Sequence, residues 1–240
     1  RLSNWLPIAL ITMIAAFFAV LTLQRNPAWA SNKSLVETDI ATSTKSAKLQ
    51  NSYGTMLLDQ ALVSTDTARR KSLLLSAEKH LREAATLHPS YYDAALAYGA
   101  CAFYLGEYER SIMAYRGAYR INPSDGKSKT GLLYALHYGG EFYVSAGDTA
   151  RAIHYFNEAW EVQPDTAVAT RLAQHYEQTK QYEEAEAWLE KALTLAPTDL
   201  RLLQALSDLY RASGAPEKAK NVLNQQESFL TVPPTGSGGK

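Results

Sequence analysis

The sequence has almost no cysteine and no excess of charge of either sign. Cys101 is the single cysteine in 240 residues, which excludes an internal disulfide framework and a zinc module built on several cysteines. Twenty-four basic residues balance twenty-four acidic ones, so the chain lacks the positive excess typical of a nucleic-acid-binding protein. Apolar residues make up 46% of the chain, which is enough to form a buried core over most of its length.

Motifs that carry catalytic or metal chemistry are also missing. The five histidines show no metal-ligand spacing and are interpreted as structural residues on helix surfaces. They are His80, His88, His137, His154 and His175. Cys101 stands among small residues, which favours a packing position over a nucleophile. We therefore predict a protein that is not an enzyme, without catalytic residues, metal site, cofactor, small-molecule substrate or nucleic-acid partner.

One long apolar run lies near the N-terminus. Residues 6–23 read LPIALITMIAAFFAVLTL and contain no charge. As an α-helix these eighteen residues extend about 27 Å, close to the ~30 Å hydrocarbon thickness of a bilayer. Trp5 and Trp29 flank the run at positions typical of interfacial tryptophans. We predict a single transmembrane helix in residues 1–25, with residues 5–23 in contact with the lipid bilayer.

A secretory signal peptide is the alternative for this segment. Ala28-Trp29-Ala30 before Ser31 fits a small-x-small cleavage pattern. The eighteen-residue run exceeds the usual ~7–15 residues of a signal sequence, which favours an uncleaved anchor. The export-like flank indicates that the following domain lies outside the cytoplasm. We expect a single-pass protein of the bacterial inner membrane with that domain in the periplasm.

The rest of the chain divides by composition and periodicity. Residues 26–46 are rich in Ser, Thr, Asn and Lys and predict a polar linker, part of it helical against the following domain. Residues 230–240 predict a flexible tail or an appended segment. Residues 47–90 form an irregular first helical repeat, in which only the second half is recognisable. Four copies of a two-helix pattern fill residues 91–229, at 92–125, 126–165, 166–199 and 200–229.

The copies share a frame of 34 residues. A small residue opens the second helical stripe of each copy, at Ala77, Ser111, Ala152, Ala185 and Ala219. The intervals between these residues are 34, 41, 33 and 34. The interval of 41 exceeds the frame by seven residues, or about two helical turns. We place these two turns at the start of the second full copy, in residues 126–132.

The residues at fixed places in each copy resemble those of the tetratricopeptide repeat (TPR), whose pattern is W-x2-L-G-x2-Y, then A-x3-F, then P. In the first full copy the matching residues are Ala95, Tyr98, Gly99, Ala102, Ser111, Tyr115, Ala118 and Pro123. The resemblance implies an all-α solenoid of about four to five helix-turn-helix repeats after the N-terminal transmembrane helix. Small residues such as Gly99 and Gly140 are expected where the paired helices approach, and Tyr115 and Phe156 to fill the gap to the next repeat.

The resemblance also implies a concave groove that binds a partner protein and is lined by the first helix of each repeat. Carried over by position, the groove residues are Asp93, Leu96, Phe103, Tyr104, Tyr134, His137, Glu141, Gln174, Glu177, Arg201, Gln204, Asp208 and Arg211. Leu96 and Ala100 stand where the family's clamp for a C-terminal carboxylate has Lys and Asn, so a receptor for chaperone tails is not expected. Phe103, Tyr104 and Tyr134 are either anchors for the partner or packed on the protein's own linker or first repeat.

Two functions follow from this organisation. We expect a membrane-anchored scaffold that binds a segment of a partner protein during assembly of a membrane or envelope complex. The alternative is a permanent accessory subunit of a larger integral membrane complex, favoured by Ala9, Ala15, Ala16 and Ala19 as packing points for other helices. The basic cluster Arg69-Arg70-Lys71 is interpreted as a solvated face, with contact to anionic lipid as its alternative.

Overall fold

The computed structural model describes residues 5–231 of the chain. Twelve α-helices and one short 3-10 helix make up most of this part, which contains no β-strand. The helices are α1 (Trp5–Arg25), α2 (Asn32–Asp39), α3 (Ala47–Val63), α4 (Thr67–Leu87), α5 (Tyr92–Tyr104), α6 (Tyr108–Ile121), α7 (Gly126–Ser145), α8 (Thr149–Val162), α9 (Thr166–Gln178), α10 (Tyr182–Leu195), α11 (Leu200–Ala212) and α12 (Pro216–Thr231). The prediction of an all-α chain of helix-turn-helix repeats behind an apolar N-terminal helix is confirmed.

Contacts between the helices divide the chain into two compact units, with the boundary between Pro123 and Ser124. In the first unit α3 packs on α4, α4 on α5, and α5 on α6. In the second unit α7 packs on α8, α8 on α9, α9 on α10, α10 on α11, and α11 on α12. Each unit is therefore a series of helical hairpins in which every hairpin contacts the next one in that unit, the arrangement expected of repeat proteins.

The helix α1 is long and apolar enough to cross a membrane. The side chains of residues 7–27 are exposed, and a 3-10 helix, Asn26–Ala30, follows. Ser31 then begins α2 with a capping box, in which its Oγ accepts from the Ser34 amide and its amide donates to the Ser34 Oγ, both at 3.0 Å. Arg25 pairs with Asp39 across this segment at 2.7 Å. Much of the linker is thus helical and tied back to the end of α1.

Close packing within two of the hairpins requires glycine, which has no Cβ atom, at positions 99 and 140. A Cβ atom at Gly99 would lie 2.9 Å from the Tyr115 ring, and one at Gly140 would lie 2.8 Å from the Phe156 ring. The two aromatic rings therefore pack on the first helix of their own hairpin. Phe156 also fills the gap to the next repeat as predicted, since its ring stacks on His175 of α9 at 5.7 Å.

The first hairpin, α3 and α4, uses the same contact with longer helices. A Cβ atom at Gly54 would lie 2.6 Å from Cγ of Leu81. Gly54 and Leu81 are 27 residues apart, whereas Gly99 and Tyr115 are 16 apart. The difference of eleven residues is about three helical turns. It arises because α3 is four residues longer than α5 (17 against 13) and α4 is seven residues longer than α6 (21 against 14). The first half of this repeat therefore falls outside the 34-residue frame.

The first helix of the third hairpin, α7, is also lengthened. It has 20 residues, against 13 in each of α5, α9 and α11, a difference of seven. It begins at Gly126. Asp125 is its N-cap, and the Asp125 side chain accepts a hydrogen bond from the Lys127 amide at 3.1 Å. The prediction that two additional turns lie in residues 126–132 is confirmed.

Candidate partner-binding site

Four of the predicted groove residues lie on α5 in the first unit. Asp93 is exposed in the first turn of the helix, and Leu96 is half-buried near its middle. The half-buried Phe103 ring has Tyr104 and Tyr108 as edge-to-face neighbours, with centroid distances of 5.7 and 5.9 Å. Tyr104 is exposed and therefore offers more surface to a partner than Phe103, which belongs to an aromatic cluster of the protein itself.

Three further residues of the predicted groove lie on α7 in the second unit. The Tyr134 side chain is 58% exposed. His137 is half-buried, with its ring edge-to-face to Phe156 of α8 at 6.1 Å. Glu141 forms an ion pair with Arg171 of α9, at 2.7 Å between Oε1 and Nε. Only Tyr134 of the three presents most of its side chain to solvent.

Arg171 joins α7 to Gln174, one of the two predicted residues of α9. Its Nη1 donates to Oε1 of Gln174 at 3.2 Å, while its Nε pairs with Glu141. Gln174 is exposed, and Glu177 lies half-buried about one turn further along α9. The guanidinium of Arg171 therefore fixes the relative positions of polar groups from two successive first helices.

The helix α11 carries the last four predicted residues, which interact with near neighbours in sequence. Gln204 donates to both carboxylate oxygens of Asp208, at 3.0 and 3.1 Å, and Arg211 donates to Asp208 at 3.1 Å. Arg201 donates from Nη2 to Oδ2 of Asp199 at 3.0 Å. These hydrogen bonds from Arg201 lower the pKa of the Asp199 carboxyl below its usual value, so Asp199 is an anion at neutral pH.

An open cleft of about 420 Å³ brings three of the predicted residues together, and this volume lies in the range of ligand pockets. They are His137 of α7, Gln174 of α9 and Arg201 of α11, one from each first helix of the second unit. The other residues that line the cleft are Thr166, Ala167, Thr170, Arg171, Asp199 and Leu202. The predicted residues of this unit that do not line it are Tyr134, Glu141, Glu177, Gln204, Asp208 and Arg211.

Sequence reasoning missed Arg171 and Asp199 as site residues. A signal for Asp199 was present, because an aspartate stands just before each first helix of the second unit. Asp125, Asp165 and Asp199 each accept a hydrogen bond from the amide two residues later. The helix caps therefore place carboxylates at the N-terminal ends of α7, α9 and α11. Arg171 had no such signal, since its role depends on a contact with Glu141 of another helix.

The sequence predicted that all five histidines lie on helix surfaces, but one of them, His175, does not. The His175 side chain is buried, and its ring stacks on Phe156 with an interplanar angle of 20°. Burial lowers the pKa of His175, Arg171 acts in the same direction, and Glu141 opposes them. The surface assignment is wrong for His175 because its helix face meets the preceding hairpin. Among residues 5–231, no group of three or more His, Cys, Asp or Glu is placed to hold a metal ion.

Two family models described as tetratricopeptide repeat match residues 66–126 and 165–225. Together they match 122 of the 240 residues. The chain belongs to the tetratricopeptide-repeat family. In this TPR chain the small residues that open the second helices are all buried, as the 34-residue frame requires, and the Ser111 hydroxyl donates to the Gly99 carbonyl at 2.8 Å.

Several solved structures are similar to this chain at low sequence identity. A MamA protein is 14% identical over 78% of this chain and 97% of its own, with a TM-score of 0.48. YrrB, described as a TPR protein with an unusual peptide-binding site, is 15% identical over 81% and 91%, with a TM-score of 0.46. MamA from Desulfovibrio magneticus RS-1 is 15% identical over 75% and 95%, with a TM-score of 0.42. A comparison with curated proteins gave no match.

Proposed function

We propose that this chain is a membrane-anchored TPR scaffold that holds a segment of a partner protein during assembly of a membrane or envelope complex. The observation that carries the proposal is the cleft of the second unit, where His137, Gln174 and Arg201 converge from three successive first helices. Membership of the TPR family supports a protein as the partner. The residues of the second unit that line this cleft are the proposed binding site.

The chemistry of the cleft favours an extended polar segment with an acidic side chain. The Arg201 side chain is 92% exposed, and its ion pair with Asp199 is accordingly solvated. Exposed pairs of this kind stabilise a protein by about 0–1 kcal/mol, so a partner carboxylate can replace Asp199 on the guanidinium with little loss. The Gln174 amide suits the main-chain groups of an extended peptide, and Ala167 and Leu202 add apolar surface.

The helix α1 supports attachment to a membrane under this proposal. Ten of the residues in 6–23 are Leu, Ile, Phe or Val, which contribute about −3 to −6 kcal/mol of insertion free energy. We infer that α1 stays uncleaved and that the TPR units lie in the periplasm. N-terminal sequencing of the mature protein tests the first point, because a chain that begins at Ser31 would identify α1 as a signal sequence.

A photo-crosslinking amino acid at Ala167 tests the partner site in the organism that makes the protein. Ala167 is exposed and lines the cleft. Glu190 is an exposed residue of α10 that does not line the cleft, and it serves as the matched control position. We expect a discrete cross-linked protein from position 167 but not from 190, and we expect Arg201→Glu to abolish it. Equal cross-linking from both positions, or none from position 167, would rule out this cleft.

A permanent accessory subunit is the second candidate, and an observation on α1 favours it. Ala15 and Ala19 are four residues apart and exposed on the helix, the spacing at which small residues allow membrane helices to approach closely. If this candidate is right, a cross-linker at Ala15 should capture a membrane subunit in a fixed ratio to this chain. The capture should also survive Arg201→Glu, which distinguishes it from cleft binding.

A further inference from the structure

The turn between α3 and α4 places an exposed apolar tip beside three cations. Val63 is 82% exposed and Leu62 is also exposed, at the end of α3. Arg69, Arg70 and Lys71 lie in the first two turns of α4. We propose that residues 62–71, named here the α3–α4 tip, dock on the surface of a bilayer that contains anionic lipid. The proposal rests on the membrane anchor proposed above.

The three cations lie outside the ion pairs that join the described helices of this unit. In the part of the chain that the structure describes, no carboxylate forms an ion pair with any of the three. Arg82, which follows on the same helix, pairs with Glu78 at 3.6 Å, and Arg110 pairs with Glu78 at 3.7 Å. The cluster therefore does not contribute to the ion pairs that join the helices of this unit.

The position of the cluster within α4 is electrostatically unfavourable for the isolated protein. Asp66 caps the helix, its Oδ1 accepting from the amides of Ala68 at 2.9 Å and Arg69 at 3.1 Å. The positive end of the helix macrodipole disfavours cations in the turns that follow the cap. Three adjacent cations at this end repel one another and the dipole. A negatively charged surface would turn this repulsion into a favourable contact.

The apolar residues beside the cluster select a lipid surface as the occupant. Amphipathic interfacial segments combine Lys and Arg with apolar side chains that enter the boundary between headgroups and acyl chains. The same combination continues along α4, where Lys71, Leu75 and Lys79 line one shallow surface groove and Leu75 is exposed. An acidic protein segment would use the cations but would leave Val63 in water. The exposed Val63 therefore favours lipid.

The anchor makes even a weak contact of this kind effective. Thirty-seven positions separate Arg25, at the end of α1, from Leu62 at the tip. Because both belong to one chain, insertion of α1 converts docking of the tip into an intramolecular step at high effective concentration. Each Lys or Arg near an anionic surface then contributes about 1 kcal/mol, which is about fivefold in the docking equilibrium per charge.

A fluorophore at position 63 of the full-length chain measures the contact directly. Val63→Cys is labelled with an environment-sensitive dye in a Cys101→Ala background and reconstituted in phosphatidylcholine vesicles, with or without phosphatidylglycerol. Met113→Cys is the control, since Met113 is 69% exposed on α6 of the same unit. We expect a blue shift and quenching by spin-labelled lipid at position 63 only in anionic vesicles, and none at 113. A dye at 63 that stays in water in anionic vesicles overturns the proposal.

Charge variants separate lipid binding from other occupants. Arg69→Gln, Arg70→Gln and Lys71→Gln together should lower the docking equilibrium constant about 100-fold, by the fivefold per charge given above. Arg120→Gln removes one cation of the same unit and should not lower it, because Arg120 lies in the last turn of α6, outside the α3–α4 tip. Equal shielding of the dye at 63 in neutral and anionic vesicles would overturn the requirement for anionic lipid, and without quenching by spin-labelled lipid it would identify a protein contact instead.

Flotation distinguishes failure of the anchor from failure of the tip. The chain should float with neutral vesicles through α1 whether or not the tip docks. A chain that floats while position 63 stays in water retains the anchor and refutes the tip. If the chain floats only with anionic vesicles, and only when the three cations are present, then α1 is not a membrane anchor but the α3–α4 tip still binds anionic lipid.

Discussion

The contact between Gly140 and Phe156 gives a sharp test of how the hairpins are held together. In Gly140→Ala the added Cβ would lie 2.8 Å from two atoms of the Phe156 ring and 3.2 Å from a third. The ring is fully buried, and its other neighbours include His175, stacked on it at 5.7 Å. Rotation of the ring away from the new methyl group would therefore disturb the contact between α8 and α9.

Two opposing effects set the magnitude. Replacing glycine by alanine inside a helix stabilises it by about 0.5–1 kcal/mol. Forcing an additional carbon into a packed core costs about 1–3 kcal/mol. We expect overpacking to win at Gly140, so that Gly140→Ala lowers the free energy of unfolding by about 0.5–2 kcal/mol and the melting temperature by a few degrees.

Gly117 in α6 is the matched control, because a Cβ atom there meets nothing within 4 Å. Gly117→Ala should therefore raise the free energy of unfolding by about 0.5–1 kcal/mol through helix propensity alone. Thermal unfolding of both full-length variants in detergent, followed by circular dichroism, measures the two shifts. Stabilisation by Gly140→Ala to the same extent as by Gly117→Ala would refute the argument that the hairpin requires a glycine at this contact.

Two further predictions concern buried titratable groups. Because the pKa of His175 is lowered from 6.5 by burial, the unfolded chain binds a proton near that pH that the folded chain does not. The unfolding midpoint should thus be flat above about pH 6.5 and fall as the pH is lowered from there, with a shallower fall in His175→Gln; an unchanged slope would contradict the linkage. Burial, assisted by Glu78, raises the pKa of Cys101 to about 12, and its thiol donates to the Leu74 carbonyl at 3.3 Å. Iodoacetamide at pH 8 should leave the native thiol unmodified and alkylate it only after denaturation, so fast native labelling would show that α4 and α5 open locally.

The periodicity of the sequence identified the elements because it reflects local physics. Small residues recur at intervals near 34 from Ala77 to Ala219, and each opens the buried stripe of a second helix. The one long interval identified α7 as the lengthened helix, because additional residues in a helix must come as whole turns to keep its apolar face inward. Gly54 was not predicted from the sequence, because both helices of the first hairpin are longer and the glycine therefore falls outside the 34-residue frame.

The groove residues predicted from the family resemblance include only some of the residues that line the cleft. His137, Gln174 and Arg201 were predicted and line it, whereas Arg171 and Asp199 line it without having been predicted. The frame specifies which face of a helix a residue occupies, but a long side chain such as Arg171 is directed by partners on another helix. Glu141 and Gln174 are those partners, and their distances depend on how α7 packs beside α9.

The sequence by itself determined the apolar N-terminal helix, the approximate length of the repeats from α5 onwards and two of the glycines at which paired helices touch, Gly99 and Gly140. Each of these follows from hydrophobic periodicity and from side-chain size along one or two neighbouring helices. Only the tertiary structure decided that His175 is buried against Phe156, that Arg171 joins α7 to α9, and that Val63 stands exposed at the turn before the cationic cluster. These facts depend on which side chains neighbouring helices cover, which packing sets and a repeat period does not contain.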